Sequence, residues 1–291
     1  MNEIVLTAGT IRYRDTGSGP PILFVHGLLV DGTLWRKVVP QLEPRFRCIV
    51  PDLPLGSHTI PMRPDADLSP PALARTIGEL IEKLDLRDVT LVANDTGGAL
   101  TQILLASGEQ NGRIGRVVLT PCDSFDNFFP PMFRPLQWLA RVPGAVNGVI
   151  QTLRAPALRR LPLAYGWLTK KRVPNDVTAA WVRPCQTDRG VRKDTAKVLA
   201  AVDSRFTVEA AEKLAAFTGP VLLAWAPEDR FFPFEHARRL AGLFPDARIE
   251  EVPDSYTFVS EDQPDLTARL IGDFAAAAPA GTSNSGVEAA S

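Results

Sequence analysis

The residues best suited to chemistry lie in the stretch LVANDTGGALTQ, residues 91–102, where Asp95 follows an apolar run that predicts a buried strand. Small residues stand two positions before and two positions after this aspartate, at Ala93 and Gly97, and Gly98 follows directly. Such flanking residues are typical of a nucleophile elbow, a strained strand-to-helix turn that lifts one side chain above a sheet. An aspartate at a helix start is also a common N-cap, so other parts of the chain must support the elbow.

Polar residues end three further predicted strands. His26 ends PPILFVHG, Asp123 ends IGRVVLTPCD, and Asp229 ends GPVLLAWAPED. In an open parallel sheet, ligands bind outside the carboxyl ends of the strands. We therefore expect these residues and Asp95 to converge on one pocket.

The elements that must position these residues alternate between short apolar strands and helical patterns. This alternation predicts an α/β fold, with a mostly parallel sheet and helices on both faces. Residues 124–215 interrupt it with a mostly helical segment rich in Pro, Arg and aromatic residues, which predicts an inserted helical cap. The predicted core is then 1–123 with 216–278, and the small polar tail 279–291 is predicted to be disordered.

Charge and composition narrow the classes of partner. The net charge of −1, from 32 basic and 33 acidic residues, gives no reason to expect nucleic acid or a membrane as a partner. Three widely spaced cysteines without metal-ligand spacing predict neither a disulfide framework nor a metal site, and no cofactor is expected. Without a signal-peptide pattern or an apolar run of membrane-spanning length, we expect a cytoplasmic protein with a small-molecule substrate or ligand, of undetermined oligomeric state.

Four sequence segments, in this order, resemble the α/β-hydrolase superfamily over nearly the whole chain apart from the tail. They are FVHGLLVDGTLWRKVVPQL, VANDTGGA, APEDRFFP and EDQPDLTARLI. Within that superfamily the chain is similar to the haloalkane dehalogenase and epoxide hydrolase branch, whose nucleophile is aspartate. The resemblance implies the α/β-hydrolase fold with a cap inserted between two strands of the sheet.

The resemblance also assigns roles to individual residues. Asp95 is expected to attack a carbon atom and form an alkyl-enzyme ester. The backbone N–H groups of Leu28 and Thr96 are expected to form the oxyanion hole. Asp229 occupies the usual position of the catalytic acid, and Asp123 lies where some members of the branch place theirs.

The family's catalytic histidine is missing. Alignment of the segment before EDQP places Thr257 at the histidine position, with Tyr256 before it, and neither is a base near neutral pH. His26 is expected to be a structural residue of the oxyanion loop. His58, in a loop, is an alternative that approaches the pocket, and His236, in a predicted helix, is expected to pack or to face solvent.

Other positions also depart from the family. Haloalkane dehalogenases usually follow the nucleophile with Trp and often have Asn after HG, whereas this chain has Thr96 and Leu28. Epoxide hydrolases usually read HGxP and use cap tyrosines, whereas this chain has Leu29 and a single cap tyrosine, Tyr165. Three interpretations stay open: a hydrolase-like enzyme with Asp95 as nucleophile or base on a small apolar or amphipathic molecule, a non-hydrolytic lyase or isomerase, and a catalytically silent binding protein.

Overall fold

The computed structural model describes residues 1–142 and 144–277, and the predicted disordered tail 279–291 lies outside the described residues. The described residues contain an eight-stranded sheet with helices on both faces, as the alternating pattern predicts. Within these residues, no helix is both long and apolar enough to cross a membrane.

The sheet is mostly parallel, with the strand order β1-β2-β4-β3-β5-β6-β7-β8. The first two strands form an antiparallel hairpin that joins β4, and every later pairing is parallel. The strands are β1 (Asn2–Val5), β2 (Thr10–Thr16), β3 (Pro21–Val25), β4 (Arg47–Pro51), β5 (Val89–Asp95), β6 (Ile114–Cys122), β7 (Val221–Trp225) and β8 (Ala247–Glu251).

The central strand β5 is apolar on both sides because it packs between two hydrophobic layers. Leu91 and Ala93 belong to one buried cluster, and Val92 between them belongs to the other. Alternate side chains of a strand point to opposite faces, so this single run contributes to both layers. The carboxyl ends of β3, β5 and β6 are neighbours in the sheet, which places His26, Asp95 and Asp123 along one edge.

Helices cover both faces of the sheet. On one face α2 packs against α3, and on the other α1 packs against α11. The helices of the core are α1 (Val39–Leu42), α2 (Pro70–Lys83), α3 (Thr96–Ser107), α9 (Phe234–Ala241), α10 (Val259–Asp262) and α11 (Pro264–Ala276).

The insertion between β6 and β7 is helical. Its first part builds a layer in which α4 and α5 pack against each other and both contact α7. Its last helix, α8, returns to the core and packs against α3. The helices of the insertion are α4 (Arg134–Ala140), α5 (Ala145–Thr152), α6 (Asn175–Thr187), α7 (Arg189–Ala201) and α8 (Arg205–Ala211).

Candidate active site

Asp95 lies at the tip of a sharp turn between β5 and α3. Its φ of 54° and ψ of −131° are backbone angles that residues with a side chain rarely adopt. A Cβ atom on Gly97 would lie 2.6 Å from the carbonyl oxygen of His26, and one on Gly98 would lie 2.2 Å from the Cβ of Cys122. The small residues after Asp95 are therefore a geometric requirement of this turn.

The Asp95 carboxylate rests against the loop that follows β3. A Cβ atom on Gly27 would lie 2.0 Å from Asp95 Oδ2, so glycine is required for the carboxylate to lie there. Burial raises the pKa of Asp95 from 3.8 to about 6, and hydrogen bonds from the backbone N–H groups of Thr96 and Leu28 act in the opposite direction. The two N–H groups that the resemblance names thus both contact this carboxylate.

Asp229 and Thr257 form a hydrogen-bonded pair close enough to Asp95 for its charge to act on Asp229. The Thr257 hydroxyl donates to Asp229 Oδ2 at 2.8 Å. The other oxygen, Oδ1, accepts the N–H groups of Phe231 and Phe232, each at 2.7 Å. Burial raises the pKa of Asp229 to about 7, opposed by these three hydrogen bonds and assisted by the Asp95 charge. Thr257, at the position that the resemblance assigns to a histidine, therefore contacts Asp229, but its hydroxyl does not accept a proton near neutral pH.

Asn94, which the sequence analysis did not select, holds the Thr257 segment in place. Its buried amide donates to the Thr257 carbonyl at 2.7 Å, to the Thr120 hydroxyl at 2.8 Å and to the Pro121 carbonyl at 3.2 Å. One side chain thus joins the elbow, the end of β6 and the segment at the histidine position. A polar side chain inside an apolar strand was the only sequence signal for it.

Asp123 is completely buried at the end of β6, next to the elbow. The Thr96 hydroxyl donates to Asp123 Oδ2 at 3.3 Å, and Oδ1 has no hydrogen-bond partner within the described part of the chain. Burial, and then the Asp95 charge, raise the pKa of Asp123 well above its usual range. The Asp123 carboxyl therefore holds the buried Thr96 hydroxyl beside the end of β6.

Both ring nitrogens of His26 are hydrogen-bonded. Its Nε2 accepts the Leu53 N–H at 2.8 Å, so Nδ1 carries the proton and donates to the Gly27 carbonyl at 2.8 Å. Burial lowers the pKa of His26 to about 4, which keeps the ring neutral. Because both ring nitrogens are occupied, His26 fixes the loop beneath Asp95.

The other two histidines are engaged elsewhere. His58 accepts the Gly56 N–H on Nδ1 and contacts Asp194 of α7 through Nε2, both at 3.3 Å. His236 is half-buried, and its Nδ1 lies 3.2 Å from the Ser124 hydroxyl. Neither ring lines the cavity above Asp95, so neither takes the place of the missing histidine in this structure.

Tyr256 contacts cations at the surface. Its ring centroid lies 4.9 Å from the Arg230 guanidinium and 5.5 Å from the Lys170 ammonium group. Its backbone N–H donates to Asp262 at 3.0 Å. The side chain does not line the cavity described next.

An apolar cavity of about 130 Å³ lies over Asp95. The Asp95 carboxylate and the Thr96 hydroxyl lie at the floor of the cavity. Tyr165 is the one other polar side chain among its described lining residues. The Tyr165 hydroxyl donates to the Leu29 carbonyl at 2.6 Å, and no side chain in the described lining carries an N–H group. Aliphatic and aromatic side chains of the insertion form much of the wall: Phe129, Phe133, Leu136, Val146, Val149, Ile150, Leu153, Leu163 and Leu168.

Comparisons with known proteins identify the family of this chain. Residues 22–270 match the model of the alpha/beta hydrolase family. Haloalkane dehalogenase 2 of Mycobacterium tuberculosis is 31% identical over 278 residues, which cover 90% of each chain.

Solved structures show the same fold. An alpha/beta hydrolase fold protein from Burkholderia ambifaria superposes with a TM-score of 0.79 at 22% identity, covering 94% of this chain and 97% of that chain. A haloalkane dehalogenase from Bradyrhizobium elkani superposes with a TM-score of 0.76 at 23% identity, with the same coverage. With the elbow, the loop after β3 and the inserted helices, these matches show that the chain belongs to the α/β-hydrolase family and is similar within it to the haloalkane dehalogenases.

Proposed function

We propose that this chain is a hydrolase-type enzyme whose Asp95 forms a covalent ester with a small apolar electrophile. The observation that carries the proposal is the Asp95 carboxylate, held at an elbow by two backbone N–H groups on the floor of an apolar cavity. A carboxylate oxygen attacks a saturated carbon, a C–O bond forms, and the leaving group departs with its bonding electron pair. At neutral pH Asp95 is mostly ionised, which is the form that attacks.

The cavity wall favours particular leaving groups. Because no side chain in the described lining has an N–H group, a departing anion receives little hydrogen bonding from the wall. The Thr96 hydroxyl, which stands where the family usually has Trp, is directed to Asp123. We therefore expect alkyl iodides, bromides and sulfonates to react in preference to alkyl chlorides, because iodide, bromide and sulfonate are more stable as free anions than chloride is.

Epoxides fit the site less well. Opening an epoxide leaves an alkoxide that must take up a proton from a nearby acid. The cavity has one tyrosine in its described lining, Tyr165, whose hydroxyl donates to the Leu29 carbonyl. Burial raises the pKa of Tyr165 well above its usual value, which makes it a weaker acid.

The ester is expected to persist. Its hydrolysis needs a group that removes a proton from water, and Thr257 does not supply one. The Thr257 hydroxyl donates its hydrogen to Asp229, so the pair is held together without a base facing the ester. Slow or single-turnover hydrolysis follows from this arrangement.

The test is the mass of the intact protein after incubation with alkyl iodides, bromides, sulfonates and chlorides of the same chain length. A mass increase equal to one alkyl group less the hydrogen that it replaces, mapped to the peptide that contains Asp95, is the expected result. Asp95→Asn should abolish it because an amide is a poor nucleophile. The same variant controls for alkylation of thiols, and burial already raises the pKa of the thiols at Cys48, Cys122 and Cys185.

A second candidate is proton abstraction, with Asp95 as a general base in place of a nucleophile. The pKa of about 6 favours it, because bases operating near neutral pH work best with pKa values close to it. This candidate predicts product from a carbon acid, dependent on Asp95, with no adduct at any time. Neither adduct nor product with any of these compounds would contradict both candidates.

A further inference from the structure

The outer surface of the insertion carries many exposed apolar side chains. Among the described residues nine large apolar side chains are exposed, and six of them lie between positions 138 and 163: Trp138, Leu139, Val142, Leu158, Leu161 and Leu163. Trp138 is 75% exposed and Leu163 is 60% exposed. A concentration of exposed large apolar side chains within one short segment indicates a site of interaction.

The same segment is strongly cationic. Between positions 127 and 175 there is no Asp or Glu, but there are eight Arg and Lys residues. Six of these are exposed: Arg134, Arg141, Arg154, Arg160, Lys171 and Arg172. Of the eight, only Lys170 forms ion pairs within the described part of the chain, with Glu228 and Asp254.

A groove beside this segment extends the positive surface. It has a volume of about 780 Å³ and runs between the α4–α5 turn, where Val142 lies, and α7. Its described lining contains no acidic residue and four basic ones: Arg189, Arg192, Lys193 and Lys197. The one acidic residue inside α7, Asp194, is buried and bonds inward to His58.

The exposed apolar surface continues into the cavity above Asp95. Leu163, which is 60% exposed, also lines that cavity. Leu136 of α4 and Val149 of α5 line it from the neighbouring helices. The exposed apolar side chains and the wall of the cavity therefore form adjoining apolar surfaces.

We propose that this face of the insertion, hereafter the cap face, docks on the surface of an anionic lipid bilayer. The cap face consists of the six exposed apolar side chains, the six exposed cations and the basic groove. Aliphatic side chains and Trp138 enter the interface between headgroups and acyl chains, while the cations meet lipid phosphates. The net charge of −1 conceals this surface, because the segment contributes +8 and leaves −9 elsewhere.

Other partners suit the cap face less well. A two-fold dimer through it would bring the same cations of each copy face to face, which is repulsive. Nucleic acid would meet the cations but would gain nothing from exposed leucines and valine, since its backbone is charged. A bilayer with anionic headgroups satisfies both the charge and the apolar side chains at once.

The test is sedimentation of the full-length chain with vesicles of phosphatidylcholine alone and of phosphatidylcholine mixed with phosphatidylglycerol. Binding is expected to the mixed vesicles, with a blue shift of tryptophan emission that Trp138→Phe removes. Each cation near an anionic surface contributes roughly fivefold in affinity, so Arg134→Gln with Arg141→Gln should weaken binding by about 25-fold. Salt should weaken it as well.

Matched variants on the core serve as controls. Arg269→Gln removes an exposed cation of α11, and Val5→Ser removes an exposed apolar side chain of β1, and neither should change vesicle binding. Absent binding, equal binding to both vesicles, or an equal effect of Arg269→Gln would overturn the proposal. So would a dimer, seen by light scattering without lipid, that Trp138→Ser dissociates. No substrate is present in this experiment, so its outcome is independent of the Asp95 chemistry.

Discussion

The elbow at Asp95 and the segment at Thr257 are neighbouring regions, each held by specific contacts, that differ in what their side chains can do. The elbow depends on Gly27, Gly97 and Gly98, because a Cβ atom at any of these positions would clash with a neighbouring backbone or side-chain atom. The Thr257 segment, residues 253–258, is fixed by the Asn94 amide on its carbonyl and by Asp229 on its hydroxyl. Asp95 carries a carboxylate with a pKa of about 6, whereas Thr257 carries a hydroxyl that does not titrate near neutral pH.

At Thr257 the side chain is held in a defined position but lacks a group that can take up a proton. Thr257, at the position that the resemblance assigns to a histidine, lies within hydrogen-bond distance of the Asp229 carboxylate. Its hydroxyl does not titrate near neutral pH. We infer that the first half of a two-step hydrolysis is supported by this scaffold and that one side chain limits the second half.

The largest effect is expected from Thr257→His. The imidazole would occupy the position where Thr257 now donates to Asp229, and it would remove a proton from the water that attacks the Asp95 ester. A positioned general base contributes about 10²–10⁴-fold to such a step. Decay of the alkylated protein, followed by intact mass over time, should accelerate by that factor and release the alcohol.

Thr257→Gln is the control for this experiment, because it adds comparable bulk at the same buried position without a base. It should form the adduct and hold it as the unsubstituted chain does. If Thr257→His folds, forms the adduct and decays no faster than Thr257→Gln, the role given to the Thr257 position is wrong.

A smaller effect is expected when the elbow is distorted. Gly97→Ala places a Cβ 2.6 Å and 2.7 Å from the backbone oxygens of His26 and Val25, which cannot rotate away. Overpacking of this kind costs about 1–3 kcal/mol, and the displaced turn should slow adduct formation as well. Urea unfolding measures the first effect and the rate of mass increase measures the second.

Gly148→Ala in α5 is the comparison for that variant. A Cβ atom there meets nothing within 4 Å, so the helix should gain about 1 kcal/mol from the better helix propensity of alanine. Equal effects of the two substitutions would show that the close approach at Gly97 is not what shapes the elbow.

Local patterns in the sequence were enough to predict the fold. The alternation of strands and helices predicts the mostly parallel sheet, and the structure and the family match confirm it. The small residues around Asp95 predict a turn of the kind observed, because steric requirements of an elbow act between near neighbours in the chain.

Long-range contacts could not be read from the sequence. Asn94 donates to Thr257 across 163 positions, and His58 contacts Asp194 across 136 positions. Neither pair has a spacing that implies contact, so the sequence left His58 open as an alternative base. The charge asymmetry of the cap face was likewise hidden, because net charge averages over surfaces that only the fold separates.

A final prediction concerns the cost in stability of an ionised carboxylate at the elbow. Burial raises the pKa of Asp95 from 3.8 in the unfolded chain to about 6 in the fold, so the folded state binds the proton more tightly. Stability associated with this proton is present below pH 3.8 and is lost as the pH rises towards 6. Asp95→Asn, which carries no ionisable proton, should therefore increase the unfolding free energy at pH 8 by about 3 kcal/mol and change it little at about pH 3.5.

Urea unfolding at the two pH values measures this difference, with Asp273→Asn, exposed on α11, as the control that should show none. A gain confined to pH 8 would mean that the elbow keeps an ionised carboxylate in a place that disfavours it, as a nucleophile requires. If Asp95→Asn has the same unfolding free energy as the unsubstituted chain at both pH values, the N–H groups of Leu28 and Thr96 fully offset the burial of Asp95.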